Sequence, residues 1–220
     1  MSRYLPASPA KRKFLLRLPV ALLLLFLLWG SLGWPAFTPQ GALRRMEREN
    51  LLAPGKPVAS GDISLIHPDW DAADNPNAWA VSYGNGQYRV GSLKRLLSVL
   101  WYPSDDSWNL AAQTLDSESP HWAQIVQWVS SGDEQEVVGL CLVENAARLD
   151  VSLYRVPESI RRESEQNWSE LELVDTASAV QQAAGVWLMQ YTIPNAGMEG
   201  DGYAVRLTAY RADGSILYDW

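Results

Sequence analysis

One unbroken apolar run and several short alternating runs divide the chain. The run covers residues 18–37, LPVALLLLFLLWGSLGWPAF, twenty positions without a charged side chain. At about 1.5 Å of rise per residue it reaches about 30 Å as a helix, the thickness of a bilayer's hydrocarbon. It shows no polar stripe to face water, which argues against a core helix. Trp29 and Trp34 near its far end suit an interfacial aromatic belt.

Beyond it, Thr38-Pro39 gives a cap followed by proline at a first helical position, and a helix to about Leu52 follows, stopped by Pro54-Gly55. Its mixed charges and few apolar positions read as a juxtamembrane stalk over 38–56, with a membrane-surface or dimerisation helix as the alternative. Residues 58–66 read as a strand and 67–77 as a loop. AWAVSY and QYRVG flank Gly84-Asn85-Gly86, a turn that needs positive φ, and predict a hairpin. Leucine spacing over 92–102 favours a helix. So does 119–132, where Ser119 caps, Pro120 follows, and Trp122, Ile125, Val126 and Val129 share a helical face.

After Glu136 the pattern turns to strands. Residues 136–143 form an apolar run. Residues 148–156 alternate, with Leu149, Val151 and Leu153 on one face. Residues 168–174 and 185–193 follow, the latter after a short alanine-rich helix capped by Thr176, and a hairpin through Asp213-Gly214 closes the chain. The expected fold is mainly β with two or three helices, most strands lying after Glu136. The picture is a single N-terminal transmembrane helix followed by an antiparallel, immunoglobulin-like sandwich over 57–220, with α+β as the alternative. SSGDEQE, around 131–135, is a candidate lobe boundary.

Charge sets the orientation. Arg3, Lys11, Arg12, Lys13 and Arg17 precede the apolar run, and the first acid is Glu47. The positive-inside rule therefore places 1–17 in the cytoplasm and 38–220 outside. Five of the 18 basic residues lie before Leu18, leaving 13 against 25 acidic residues beyond it, a net of −12. That balance argues against nucleic acid as a partner. A cleaved signal peptide is the competing reading, since Ser31-x-Gly33 offers small residues at suitable offsets and both readings export the domain.

The chemistry-bearing residues are sparse. Cys141 is the only cysteine, set among apolar residues, so no intrachain disulfide forms and a buried, inert thiol is expected. Asp69, Asp71 and Asp74 could offer oxygen ligands to calcium, although Ala73 occupies the pattern's fifth position and the glycine after it is missing. His67 and His121, the only histidines, have no zinc spacing. Asp175-Thr176-Ala177 resembles the aspartic-protease Asp-Thr-Gly loop over three residues, but carries Ala177 where that family has glycine. Among the tryptophans beyond the run, Trp79, Trp122 and Trp187 sit in apolar patterns and belong to the core. Trp70, Trp108 and Trp168, set among polar residues, are candidates for stacking on sugar rings. No catalytic residue is assigned and no cofactor is implied. The expected function is a non-catalytic binding or structural module at the cell envelope, held to lipid by 18–37 and facing an envelope protein or glycan. A carboxylate-based, glycosidase-like hydrolase and a cleaved, secreted sugar-binding protein are the alternatives.

Overall fold

A computed structural model describes residues 9–31, 35–70, 76–96, 99–104, 110–157, 168–194 and 202–220. Two helices, α1 (Pro9–Ser31) and α2 (Pro39–Glu49), precede a chain of strands. The first five are β1 (Lys56–Asp62), β2 (Ala78–Gly84), β3 (Gln87–Leu96), β4 (Leu100–Pro103) and β5 (Leu110–Gln113). Next come β6 (His121–Ser131), β7 (Glu134–Val143), β8 (Arg148–Val156) and β9 (Glu172–Ser178). The last are β10 (Val180–Ala183), β11 (Val186–Pro194), β12 (Gly202–Tyr210) and β13 (Ile216–Asp219).

They form three antiparallel sheets. Sheet A runs β1-β2-β3-β4 with β5 also on β3, sheet B runs β10-β11-β7-β6, and sheet C runs β13-β12-β8-β9. The layers stack as α2, A, B, C, with an apolar cluster at each of the three junctions. On β7 the alternate residues serve two junctions: Val138, Leu140 and Leu142 pack toward sheet A, and Val137, Cys141 and Val143 toward sheet C. A strand buried on both faces must be apolar throughout. β8 instead has one open face, and its burial alternates, with Leu149, Val151 and Leu153 inward.

The mainly β expectation holds, and so do the hairpin turns. Asn85 and Gly86 adopt φ of 55° and 78° between β2 and β3, and Gly214 adopts 83° between β12 and β13. Three helical expectations fail. Within the 119–132 span, residues 121–131 form β6, which pairs with β7 through a register shift between Ile125 and Gln127. A strand with a bulge turns two neighbouring residues inward, so Trp122, Val126 and Val129 acquire a helix-like spacing. Within the 92–102 span, residues 92–96 end β3 and residues 100–102 belong to β4. The alanine-rich stretch forms β9 and β10, the second also bulged, between Gln181 and Ala183. Thr176 consequently lies within β9 and caps nothing.

Nor do most strands lie after Glu136, since β1 to β6 precede it. Residues 132–133 are the tight turn of the β6–β7 hairpin, so the chain stays in sheet B at the candidate lobe boundary. The α2 helix does begin at Thr38, whose Oγ1 accepts from the Gly41 amide at 3.0 Å. It is no stalk. Ala42, Leu43 and Met46 are buried against Ala78, Ala80, Leu93 and Trp101 of sheet A. Gly91 on β3 permits this approach, because a Cβ there would come within 2.8 Å of Leu43 Cδ1.

A buried ion pair fastens the same junction. Glu47 Oε1 accepts from Arg89 Nη1 at 3.0 Å and from Ser82 Oγ at 2.6 Å, and both carboxylate oxygens accept from the Gly55 amide at 3.1 Å. Arg89 Nη1 also donates to the Ala53 carbonyl at 2.6 Å. Both side chains are almost wholly shielded from water. Removing one partner leaves the other charged and dry, which costs about 3–5 kcal/mol. Arg89→Met should therefore lower the unfolding free energy by about that amount, and Glu47→Leu/Arg89→Met should recover part of it. Urea unfolding of the chain, followed by tryptophan fluorescence, measures both. A loss below about 1 kcal/mol in the single variant would place the docking of α2 in its apolar face alone.

Candidate functional site

The bulge in β6 determines where a side chain enters the space between sheets A and B. Val126 joins the apolar cluster there, and Gln127, paired with Val138, turns to the same side. Gln127 is 4% exposed, and its Oε1 has no hydrogen-bond partner among the described residues. It lines a cleft of about 210 Å³ together with Ile63, Ser64, Leu65, Pro68 and Asn77. These residues come from the β1–β2 connection and from β6, so the cleft opens at the margin where two sheets part.

Buried polar contacts hold its walls. Glu136 on β7, fully buried, accepts from the Ile66 amide at 2.6 Å, the His67 amide at 3.1 Å and Gln190 Nε2 at 2.6 Å. Gln190 Nε2 also donates to the Ser64 carbonyl at 2.8 Å. Asn77 closes the far side, its Oδ1 accepting from the Arg95 amide at 2.6 Å and its Nδ2 donating to the Arg95 carbonyl at 3.2 Å. Three donors on one carboxylate satisfy Glu136, which is what a buried carboxylate needs. Gln127 is the member of this group whose hydrogen-bonding capacity is open.

The sequence candidates are dispersed. Trp168 lies in a short 3-10 turn (Trp168–Glu170) beside the open face of sheet C. Its ring centroid is 5.2 Å from that of Tyr154, and the Arg206 guanidinium lies 5.5 Å from its centre. Arg206 forms a two-pronged pair with Asp219, in which Nε donates to Oδ1 at 2.7 Å and Nη2 to Oδ2. Hydrogen bonding from Arg206 holds the Asp219 carboxyl below the usual carboxylate range. Trp168 thus has two partners, Tyr154 and Arg206, and the ion pair beside it is 28% exposed at each member. Trp70 ends the 3-10 turn Pro68–Trp70 near the cleft, and Asp69 is exposed in that turn. Trp108, Asp71 and Asp74 lie outside the described residues. Among the described residues no three His, Cys, Asp or Glu side chains converge on a metal position. Trp79 and Trp187 are in the core and Trp122 packs against it, as their patterns predict.

Gln127 was invisible to sequence reasoning, because a glutamine within an apolar run read as the polar face of a helix. A strand reading with the bulge located would have turned it inward. No family model, no curated protein and no solved structure matches this chain.

Cys141 has the environment expected of it, fully buried on β7 with its Sγ 3.5 Å from Met189 Sδ. Burial pushes its thiol up to about 12 from an ordinary value of 9.0, and pushes the Tyr191 hydroxyl, also close to the Cys141 charge, up to about 12. The thiolate is the reactive form. A maleimide at pH 8 should therefore leave Cys141 unmodified in the folded chain and label it fully in denaturant, as mass spectrometry would register. Both groups stay protonated in the fold where the unfolded chain would release protons. They should therefore withdraw stability as pH rises from about 9 through about 12. Rapid labelling of the native chain at pH 8 would contradict the burial.

Proposed function

We propose that the chain is a membrane-anchored module whose domain faces the extracytoplasmic side and binds rather than catalyses. The observation that carries the anchor is the exposure of α1. Leu18, Val20 and every residue from Leu22 to Leu28 are between 44% and 61% exposed, and seven consecutive positions point to all sides of a helix. Each such side chain gains about 1.5–3 kcal/mol on leaving water, and no layer of the fold covers them. A helix apolar all round belongs in a core or a bilayer. Among the described residues no helix is long and apolar enough to cross a membrane. The side chains described on α1 cover 17–31, fifteen positions, fewer than the roughly twenty of a full span.

Support for binding over catalysis comes from the groups that could react. Cys141 is held as a thiol, the Glu47 and Glu136 carboxylates are each committed to three or more donors, and His121 is pressed against Trp220 with ring centroids 3.9 Å apart. Burial lowers the pKa of His121, which keeps its ring neutral at physiological pH. In layering and strand number, sheets B and C are read as an immunoglobulin-like sandwich, with sheet A and α2 added on one side. Such a frame displays margins and loops for recognition.

Topology gives the direct test. Protease added to spheroplasts should degrade residues 38–220 and spare a fragment containing α1, detected with a tag at the N-terminus. Full protection of the domain would refute the orientation, and a mature chain beginning near Trp34 would make the protein a secreted one.

A further inference from the structure

The cleft at the margin of sheets A and B combines a size, a charge and an unfilled hydrogen-bonding group that together specify a ligand class. Its volume of about 210 Å³ exceeds the ~150 Å³ of an engineered cavity that accepts benzene, so a six-membered ring with small substituents fits. None of its six lining residues is formally charged. An ion entering it would lose hydration without a counter-charge from that lining, whereas a neutral molecule would not. Ile63, Leu65 and Pro68 supply an apolar wall, and Ser64, Asn77 and Gln127 supply polar positions.

Asn77 is already committed through both ends of its amide to the Arg95 backbone. Gln127 is not, since its Oε1 is unpartnered on a residue 4% exposed. A primary amide carries donors and an acceptor in one plane, and turning its terminal torsion exchanges which is presented. A hydroxyl, at once donor and acceptor, meets either orientation. Oε1 as placed is closed off even from water, which costs about 1–3 kcal/mol; turning the terminal torsion brings it to the cleft, where a ligand hydroxyl meets it and recovers that cost.

We propose that this cleft binds a neutral, hydroxyl-bearing ring of monosaccharide size, with Gln127 as the hydrogen-bonding residue and Ile63, Leu65 and Pro68 as the surface on which the ring's apolar face rests. This rests on reading the domain as a binding module and is independent of its anchor. A ligand of about a dozen heavy atoms at ordinary efficiency binds with a millimolar Kd.

The test is ligand-observed NMR on the full chain in detergent, titrated with glucose and myo-inositol and, as charged rings of equal size, glucuronate and glucosamine. Saturable binding of a neutral ring, at least about tenfold weaker binding of both charged rings, and loss of binding in Gln127→Leu are expected. Gln127→Leu removes an amide oxygen that has no partner, so its urea midpoint should be retained, which would show the fold intact. Absence of saturation by either neutral ring to about 50 mM would overturn the proposal. So would undiminished binding by Gln127→Leu, or a crystal structure in which ordered water occupies the cleft unchanged at that concentration. None of these results would alter the protease result that tests the anchor, so the two readings fail separately.

Discussion

Stacking three sheets demands a middle layer with no polar face, and β7 is where the chain meets that demand. From Glu136 to Val143 every side chain is buried, alternately against sheets A and C. Gly139 is part of the solution, because a Cβ there would collide with Met189 across the sheet. With the centre of sheet B dry on both sides, polar groups can enter only at its ends and margins. Glu136 enters at one end and is compensated by two backbone amides and Gln190. Gln127 enters at the edge strand, and there the compensation is incomplete. A buried, fully bonded polar group specifies a wall. One left open at a cleft marks the place where something else supplies the partner.

The second demand falls on sheet A, which is also covered on both faces, by sheet B and by α2. Its strand β2 is buried continuously from Ala78 to Ser82 as a result. The small residues Ala78, Ala80 and Gly91 lie beneath α2, and the larger Trp79, Val81 and Val90 face sheet B. An eleven-residue helix is too short to persist alone. It gains its place from three apolar contacts and from Glu47, whose charge is matched by Arg89 on the far side of the layer boundary. A buried pair of this kind specifies geometry more surely than it adds stability, since only one docking pose satisfies it.

What was legible in the sequence follows from local rules. Hairpin turns that require positive φ announce themselves through Asn-Gly and Asp-Gly, and one-sided alternation marked β8, whose other face is open. The cap at Thr38 depends on two adjacent residues and was equally plain. Bulges and layering are not local. The shift at Ile125 and Gln127 imitates a helical stripe, and only pairing with β7 reveals it. The burial of α2 was hidden because Leu43 and Met46 alone give a thin apolar face, while the acid at its centre looked like a solvent-facing charge. Glu47 needs Arg89, forty-two positions away, to be explained. The cleft was illegible for the same reason. Its lining joins residues 63–77 to residue 127, and no spacing rule connects them.

The docking of α2 also limits how far the domain can stand from a bilayer. Ala36 already exchanges backbone hydrogen bonds with Trp101 of β4, each at 2.8 Å, and Pro35 before it is buried. Five residue steps separate Ser31, the end of α1, from that bridge, which at full extension span about 17 Å. If α1 is the anchor, then the first fixed point of the domain lies within roughly two helix diameters of the hydrocarbon edge, and a long flexible tether is ruled out. The outward face of α2 carries Arg44, Arg45 and Arg48, of which Arg45 pairs with Glu49 at 2.7 Å. In a domain whose net charge is −12, this small basic strip follows directly on the apolar run. If α1 is the anchor, that strip lies on the stretch of chain that leaves the bilayer.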